Sequence, residues 1–128
     1  GRGGPGGWWI LDEPELHLAD DVLVPDLAGW RRERMPALPR SAYFELAPDW
    51  VCEVLSPSTR PFDLGEKRDT YAEQGTAHLW LIDPDARTLE AFALEGGRWV
   101  LQATLVDTAD VALPPFEAVT FSLADLWP

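Results

Sequence analysis

Residues 50–55 read Trp50-Val51-Cys52-Glu53-Val54-Leu55. Apolar side chains fill both alternating sets of this run except at one position. A strand of that kind needs cover on both faces, so it belongs in the middle of a sheet. The exception raises a chemical question. Glu53 puts a carboxylate among apolar neighbours, and burying an unpaired charge is costly.

The bulk properties narrow the field. A chain of 128 residues suits one domain, and 46% hydrophobic content is enough for a packed core. The formal net charge of -12 repels phosphate backbones at long range, which argues against a general nucleic-acid coat protein. It does not exclude a nuclease, because a bound divalent cation changes the local sign. One cysteine leaves no internal disulfide framework. No run is long and apolar enough to span a membrane, and no charged-then-apolar leader precedes a cleavage site. The expectation is a cytoplasmic protein without a membrane partner. Residues 1–7, GRGGPGG, lack packing side chains and read as a flexible segment. With no initiating Met, they suggest a fragment, with one domain over residues 8–128.

The pattern alternates β with little helix. Trp8-Trp9-Ile10-Leu11 and Glu15-Leu16-His17-Leu18 read as strands, with a turn at Asp20-Asp21. Residues 22–30 form the next strand candidate, and Pro25 marks a sheet edge or bulge in it. Residues 31–40 form a basic loop. After the central strand and a Ser-Pro loop, Asp63 and Glu66 form a capping-box signature for a helix over 64–74, with Gly75 as its C-terminal cap. His78-Leu79-Trp80-Leu81-Ile82 is a further strand. Residues 88–94 and 98–105 make a hairpin around Glu95-Gly96-Gly97. Residues 119–128 read as a tail with a small helix. The fold class is α/β or α+β: a mixed central sheet flanked by few helices.

Two carboxylates and a lysine stand out. Asp26 ends the Val22-Leu23-Val24-Pro25 run. If that strand neighbours the Glu53 strand, the two carboxylates converge. Close carboxylates repel unless a proton or cation lies between them. Magnesium typically takes one or two carboxylates plus water and phosphate oxygens, so a metal is one partner for Glu53. A strand glutamate is also commonly half-exposed or paired with arginine, and Pro-Asp is a common turn pair. Lys67 is the only lysine among ten basic residues. Leu64, Lys67 and Tyr71 share one helix side, which should face the sheet and direct Lys67 toward Glu53. A compact ammonium there suits a phosphate or an attacking water. A solvated lysine left by an arginine bias is the plain alternative.

Other residues favour ordinary roles. Neither histidine is spaced from Ser56, Ser58 or Thr59 as a nucleophilic triad requires, and His17 and His78 suit half-buried strand positions. Cys52 lies on the strand face opposite Glu53 and reads as a small core residue. Asp83, Asp85, Glu90 and Glu95 belong on the surface around the hairpin. Most of the seven tryptophans should be core, with Trp8, Trp9 and Trp30 as candidates to line a groove.

The strings Val24-Pro25-Asp26-Leu27-Ala28, Glu53-Val54-Leu55-Ser56-Pro57-Ser58-Thr59, Asp63-Leu64-Gly65-Glu66-Lys67 with Tyr71, and Leu79-Trp80-Leu81-Ile82-Asp83-Pro84 come in this order. Together they resemble the Uma-two-type restriction endonuclease family of the PD-(D/E)XK nuclease superfamily. The resemblance covers roughly residues 8–105. It implies a mixed sheet flanked by helices, and a site in which Asp26 and Glu53 bind Mg2+ or Mn2+. Leu55 occupies the slot where the superfamily places its lysine, and the resemblance implies that Lys67 supplies the ammonium from the following helix, with Tyr71 in support. Family members usually carry a longer N-terminal part than this chain, so the resemblance implies a truncated member.

The expected activity is metal-dependent hydrolysis of DNA phosphodiester bonds, with the Val54 main-chain carbonyl as a further metal ligand. Arg31 and Arg32 are candidate phosphate contacts, with Arg34 and Arg40 in the same loop, and all four also suit solvated loop charges. A homodimer is a plausible assembly. The competing reading is a catalytically inactive nuclease-like module that binds a protein partner. Convergence of Asp26, Glu53 and Lys67 favours the first reading, and a solvent-directed Lys67 favours the second.

Overall fold

A computed structural model describes residues 7–56, 61–106, 110, 111, 113–116, 121 and 122 of the chain. Its centre is a six-stranded sheet. The strands are β1 (Trp8–Asp12), β4 (Leu27–Arg31), β5 (Trp50–Val54), β6 (His78–Asp83), β7 (Thr88–Glu95) and β8 (Arg98–Val106), side by side in that order. Between β1 and β4 in sequence lies a separate hairpin, β2 (Leu16–Leu18) and β3 (Asp21–Leu23). One helix, α1 (Pro61–Glu73), links β5 to β6. These two strands are the one parallel pair of the sheet, which is why a crossover helix joins them. The mixed α+β class and the central place of the Glu53 strand agree with the sequence.

The sheet separates two cores. Val51, Leu79 and Leu81 point to the side covered by α1, where Tyr71 is fully buried and Leu64 packs against the cluster. Trp50, Cys52, Trp80 and Ile82 point to the other side. There the ring of Phe116 meets Trp8, Trp50 and Trp80 edge-on, with centroids 4.9, 5.1 and 5.8 Å away. Gly29 of β4 lies under this aromatic group. A Cβ on it would come 2.8 Å from Ile10 Cδ1 and within 3.2 Å of the Trp8 and Trp50 rings, so an added methyl would force these neighbours to shift.

Several elements differ from the sequence reading. Residues 22–30 are not one strand. Val22 and Leu23 pair with β2, while Leu27–Arg31 pairs with β1 and β5. The break falls at Val24-Pro25-Asp26, where proline cannot donate to a ladder. The turn expected at Asp20-Asp21 is one residue earlier, with Ala19 at positive φ and Asp21 already paired in β3. The helix begins at Pro61 rather than 64, a common first helical residue, so Asp63 lies within the helix rather than at its cap. Its C-terminus is as expected. Gly75 has φ +81°, and the bonds from Thr76 N to Tyr71 O and from Gly75 N to Ala72 O form a Schellman cap.

The hairpin of β7 and β8 turns at Gly96-Gly97, and a bulge interrupts its register at Ala91 and Phe92. Of the expected C-terminal helix, Phe121 and Ser122 are instead strand β10, paired with β9 (Asp110–Val111). The remainder of that expected helix, together with residues 1–6, Ser58 and Thr59, lies outside the described residues. Trp8 and Trp30 are 4% and 0% exposed and belong to the core rather than to an open groove. Among the described residues no helix is long and apolar enough to cross a membrane.

Candidate active site

β4 and β5 run antiparallel with Leu27 opposite Cys52. One step further, Asp26 comes level with Glu53, on the side of the sheet that α1 covers. Asp26 therefore opens the approach to β4 rather than ending a strand, and the Pro25 break directs the chain there. Val54 N–H donates to the carboxylate at Asp26 Oδ2 at 2.7 Å, and the Asp26 main-chain carbonyl accepts from Glu13 N–H at 2.9 Å.

Glu53 is 5% exposed, and both of its carboxylate oxygens have partners. The Tyr71 hydroxyl donates to Oε2 at 2.9 Å, and Lys67 Nζ lies 3.4 Å from Oε1. Both partners come from α1, one turn apart, as the helical spacing of Lys67 and Tyr71 predicts. The β2–β3 hairpin steadies the same helix from outside, where Thr70 Oγ1 donates to Asp21 Oδ2 at 3.2 Å. That contact has no signal in the sequence, because it joins residues 49 positions apart.

Burial pushes the Glu53 carboxyl above its ordinary value, and the nearby Asp26 charge adds to the rise. The Lys67 ammonium and the Tyr71 hydrogen bond act in the opposite direction. Tyr71 is itself pushed up by burial and by Glu53, so it stays protonated and keeps donating. Burial, then the charges of Asp26 and Glu53, likewise push up the Cys52 thiol. Cys52 is thus an inert core side chain and not a thiolate nucleophile.

Among the described residues no three His, Cys, Asp or Glu side chains cluster as a self-sufficient metal cage. The donor set is two carboxylates, both oxygen ligands, beside a strand backbone. It fits a hard divalent cation that completes its shell with water and substrate oxygens. It does not resemble a nitrogen- and sulfur-rich zinc site. The excess negative charge of Asp26 and Glu53 over the single ammonium of Lys67 also favours a cation.

The arginines expected at phosphate lie toward the other end of β4 from Asp26. Arg31 ends β4, whereas Asp26 precedes its start. Five residue steps at about 3.3 Å put the two roughly 17 Å apart along the strand. The Arg31 guanidinium lies 4.6 Å from the centre of the Trp8 ring, and that of Arg32 lies 4.0 Å from Trp9. Arg34 pairs with Asp49 at 2.8 Å. This end of the sheet is a cation–aromatic lock remote from the carboxylates.

The model of the Uma2 family, described as "Putative restriction endonuclease", matches residues 2–124. The chain belongs to the Uma2 family. Among solved structures it is similar to one titled as a "putative nuclease belonging to DUF820" from Anabaena variabilis ATCC 29413. That likeness has a TM-score of 0.73 at 27% identity and covers 94% of this chain and 68% of that one. No curated protein matches the chain. As a Uma2 member, the protein has a nuclease-like fold, with Asp26, Glu53, Lys67 and Tyr71 gathered between β4, β5 and α1.

Proposed function

We propose that this Uma2 protein is a metal-dependent endonuclease that hydrolyses phosphodiester bonds of DNA. The observation that carries this reading is the meeting of Lys67 and Glu53 at 3.4 Å, beside a carboxylate anchored by the next residue of the same strand.

Asp26 and Glu53 would hold Mg2+ or Mn2+, with the Val54 main-chain carbonyl as a third oxygen. When bound, the cation supplies Lewis-acid polarisation of the scissile phosphate and a more acidic water. The residues of the chain divide the remaining work. Tyr71 holds Glu53 in one orientation and keeps its charge near the ladder. The Val54 N–H does the same for Asp26. Lys67 has three donor protons and no acceptor. With one directed at Glu53, the others are available to orient the attacking water or to stabilise charge on the phosphate oxygens. Water attacks phosphorus, the bond to the leaving oxygen breaks, and the proton that the attacking water loses passes to solvent while the leaving oxygen takes one from solvent.

The test is calorimetric titration of Mg2+ and Mn2+ into the wild type and Glu53→Ala, together with a cleavage assay on plasmid and single-stranded DNA. Binding and cleavage that both vanish in the variant support the reading. A wild type that neither binds the metals nor cuts supports the inactive, protein-binding module instead.

A further inference from the structure

Helix α1 separates two grooves of opposite character. On one side lies a cavity of about 400 Å³ in which Lys67 is accompanied by Asp21, Glu66, Asp69 and Glu73. On the other lies a cavity of about 460 Å³ lined by Arg68, Arg98 and Trp99, with Asp69 as its single carboxylate. The second groove is unusual for this molecule. The chain carries 22 acidic and 10 basic residues, so two arginines facing one acid reverse the overall balance.

Neither arginine is neutralised. Among the described residues, the ion pairs involve Arg34, Lys67 and His17, and none involves Arg68 or Arg98. Arg68 is positioned by a cation–π contact, its guanidinium 4.8 Å from the centre of the Phe92 ring. The groove wall is tied to the helix at the same residue, because Trp99 Nε1 donates to Arg68 O at 3.0 Å. Arg98 is exposed at the start of β8, one residue after the turn. At Gly65 and Gly97, on the two sides of the groove, a Cβ would meet nothing within 4 Å, so the backbone borders open space. The result is a held, unpaired guanidinium facing a free one across an open, indole-lined channel. Guanidinium forks of this kind suit phosphate oxygens.

We propose that the Arg68–Arg98 groove binds a phosphodiester of the nucleic-acid substrate next to the one that is cut. The inference rests on the nuclease reading above, and it specifies how an acidic protein grips a polyanion. Lys67 and Arg68 are consecutive on α1, about 3.8 Å apart at Cα, and they serve opposite flanks of the helix. A strand that crosses α1 with its scissile phosphate at Lys67 lays a neighbouring phosphate in the arginine groove. Beyond Lys67 the carboxylates of its groove repel the strand, so the strand leaves the reacting phosphate toward Arg68 and Arg98.

The experiment is fluorescence anisotropy of a labelled DNA oligonucleotide in Ca2+ at several salt concentrations. The proteins are the wild type, Arg98→Glu, Arg68→Gln, Asp69→Asn and Arg87→Ala. Arg87 lies in the turn before β7, at the other end of that strand from Arg98, and controls for general charge. Expected results are affinity weakened about tenfold in Arg98→Glu and Arg68→Gln, with the slope of log affinity against log salt reduced by roughly 0.9 per lost contact. Asp69→Asn should bind more tightly. Inorganic phosphate at millimolar levels should compete with the wild type and not with Arg98→Glu. The proposal is overturned if Arg98→Glu binds as the wild type does, or if Arg87→Ala weakens binding equally. If those outcomes occur while Glu53→Ala still abolishes metal binding and cleavage, the groove assignment fails and the nuclease reading stands. If Glu53→Ala leaves both unchanged, or no oligonucleotide binds the wild type, both fall.

Discussion

The Tyr71 hydroxyl of α1 donates to Glu53 Oε2 of β5 at 2.9 Å, with both side chains buried. This bond ties the helix to the strand at the carboxylate and answers the question that Glu53 poses in the sequence. The glutamate is tolerated inside because the next helix brings a hydroxyl and an ammonium to it. Tyr71→Phe leaves the carboxylate with the ammonium alone. The expected loss is about 1–3 kcal/mol of folding stability, measured by urea unfolding at neutral pH.

Asp26→Asn separates charge from structure. The amide oxygen still accepts from Val54 N–H, so the approach to β4 is preserved. The melting temperature should stay within a few degrees of the wild type, while Mg2+ binding by calorimetry disappears. Metal affinity equal to the wild type would remove Asp26 from the ligand set.

Lys67→Met keeps most of the apolar stem and removes the ammonium. Metal binding should persist, because both carboxylates remain. DNA cleavage should fall about 10²–10³-fold, read in single-turnover assays. The ammonium now lowers the Glu53 carboxyl from beside it, so the variant should also shift Glu53 further up.

The pH dependence of stability has a definite sign. The folded Glu53 carboxyl lies above its ordinary 4.5 because of burial, so the native state holds its proton longer than the unfolded chain does. The native state therefore binds more protons, and stability falls as pH rises from about 4.5 through the folded value. Glu53→Gln should flatten that part of the metal-free stability curve. Saturating Mg2+ should stabilise the wild type increasingly over the same interval, since the cation favours the charged form. Chemical denaturation at a series of pH values, with and without Mg2+, reads both effects.

Gly29→Ala tests the aromatic core. The added methyl meets Ile10 Cδ1 at 2.8 Å and two tryptophan rings at 3.1 and 3.2 Å. Overpacking of this kind should cost about 1–3 kcal/mol. Near-ultraviolet circular dichroism should report the disturbed tryptophans alongside the lower melting temperature.

Much of this was written locally in the chain. Alternating apolar sets marked β5 as a central strand, Gly75 marked the end of α1, and Gly96-Gly97 marked the hairpin turn. The helical spacing of Lys67 and Tyr71 placed both on the face toward Glu53. Each rests on neighbours within a few residues, where periodicity and backbone preference act directly. Pairing was not legible in the same way. Nothing local shows that residues 22 and 23 leave the main sheet for their own hairpin with β2, or that Thr70 reaches Asp21. The position of the arginines was also hidden. Their charges suggested phosphate, but the length of β4 carries Arg31 away from Asp26, and Trp8 and Trp9 hold Arg31 and Arg32 at that distant end.

By itself, the sequence determined which side chains share a face: Glu53 with Val51, and Lys67 with Tyr71. That follows from the two-residue period of a strand and the 3.6-residue period of a helix. Only the tertiary structure decided that the two faces meet. Asp26 reaches Glu53 because β4 pairs with β5 in one register, and the α1 crossover then brings Lys67 and Tyr71 over the same carboxylate. Contacts between residues far apart in sequence depend on which surfaces bury each other, and no short-range pattern encodes that choice.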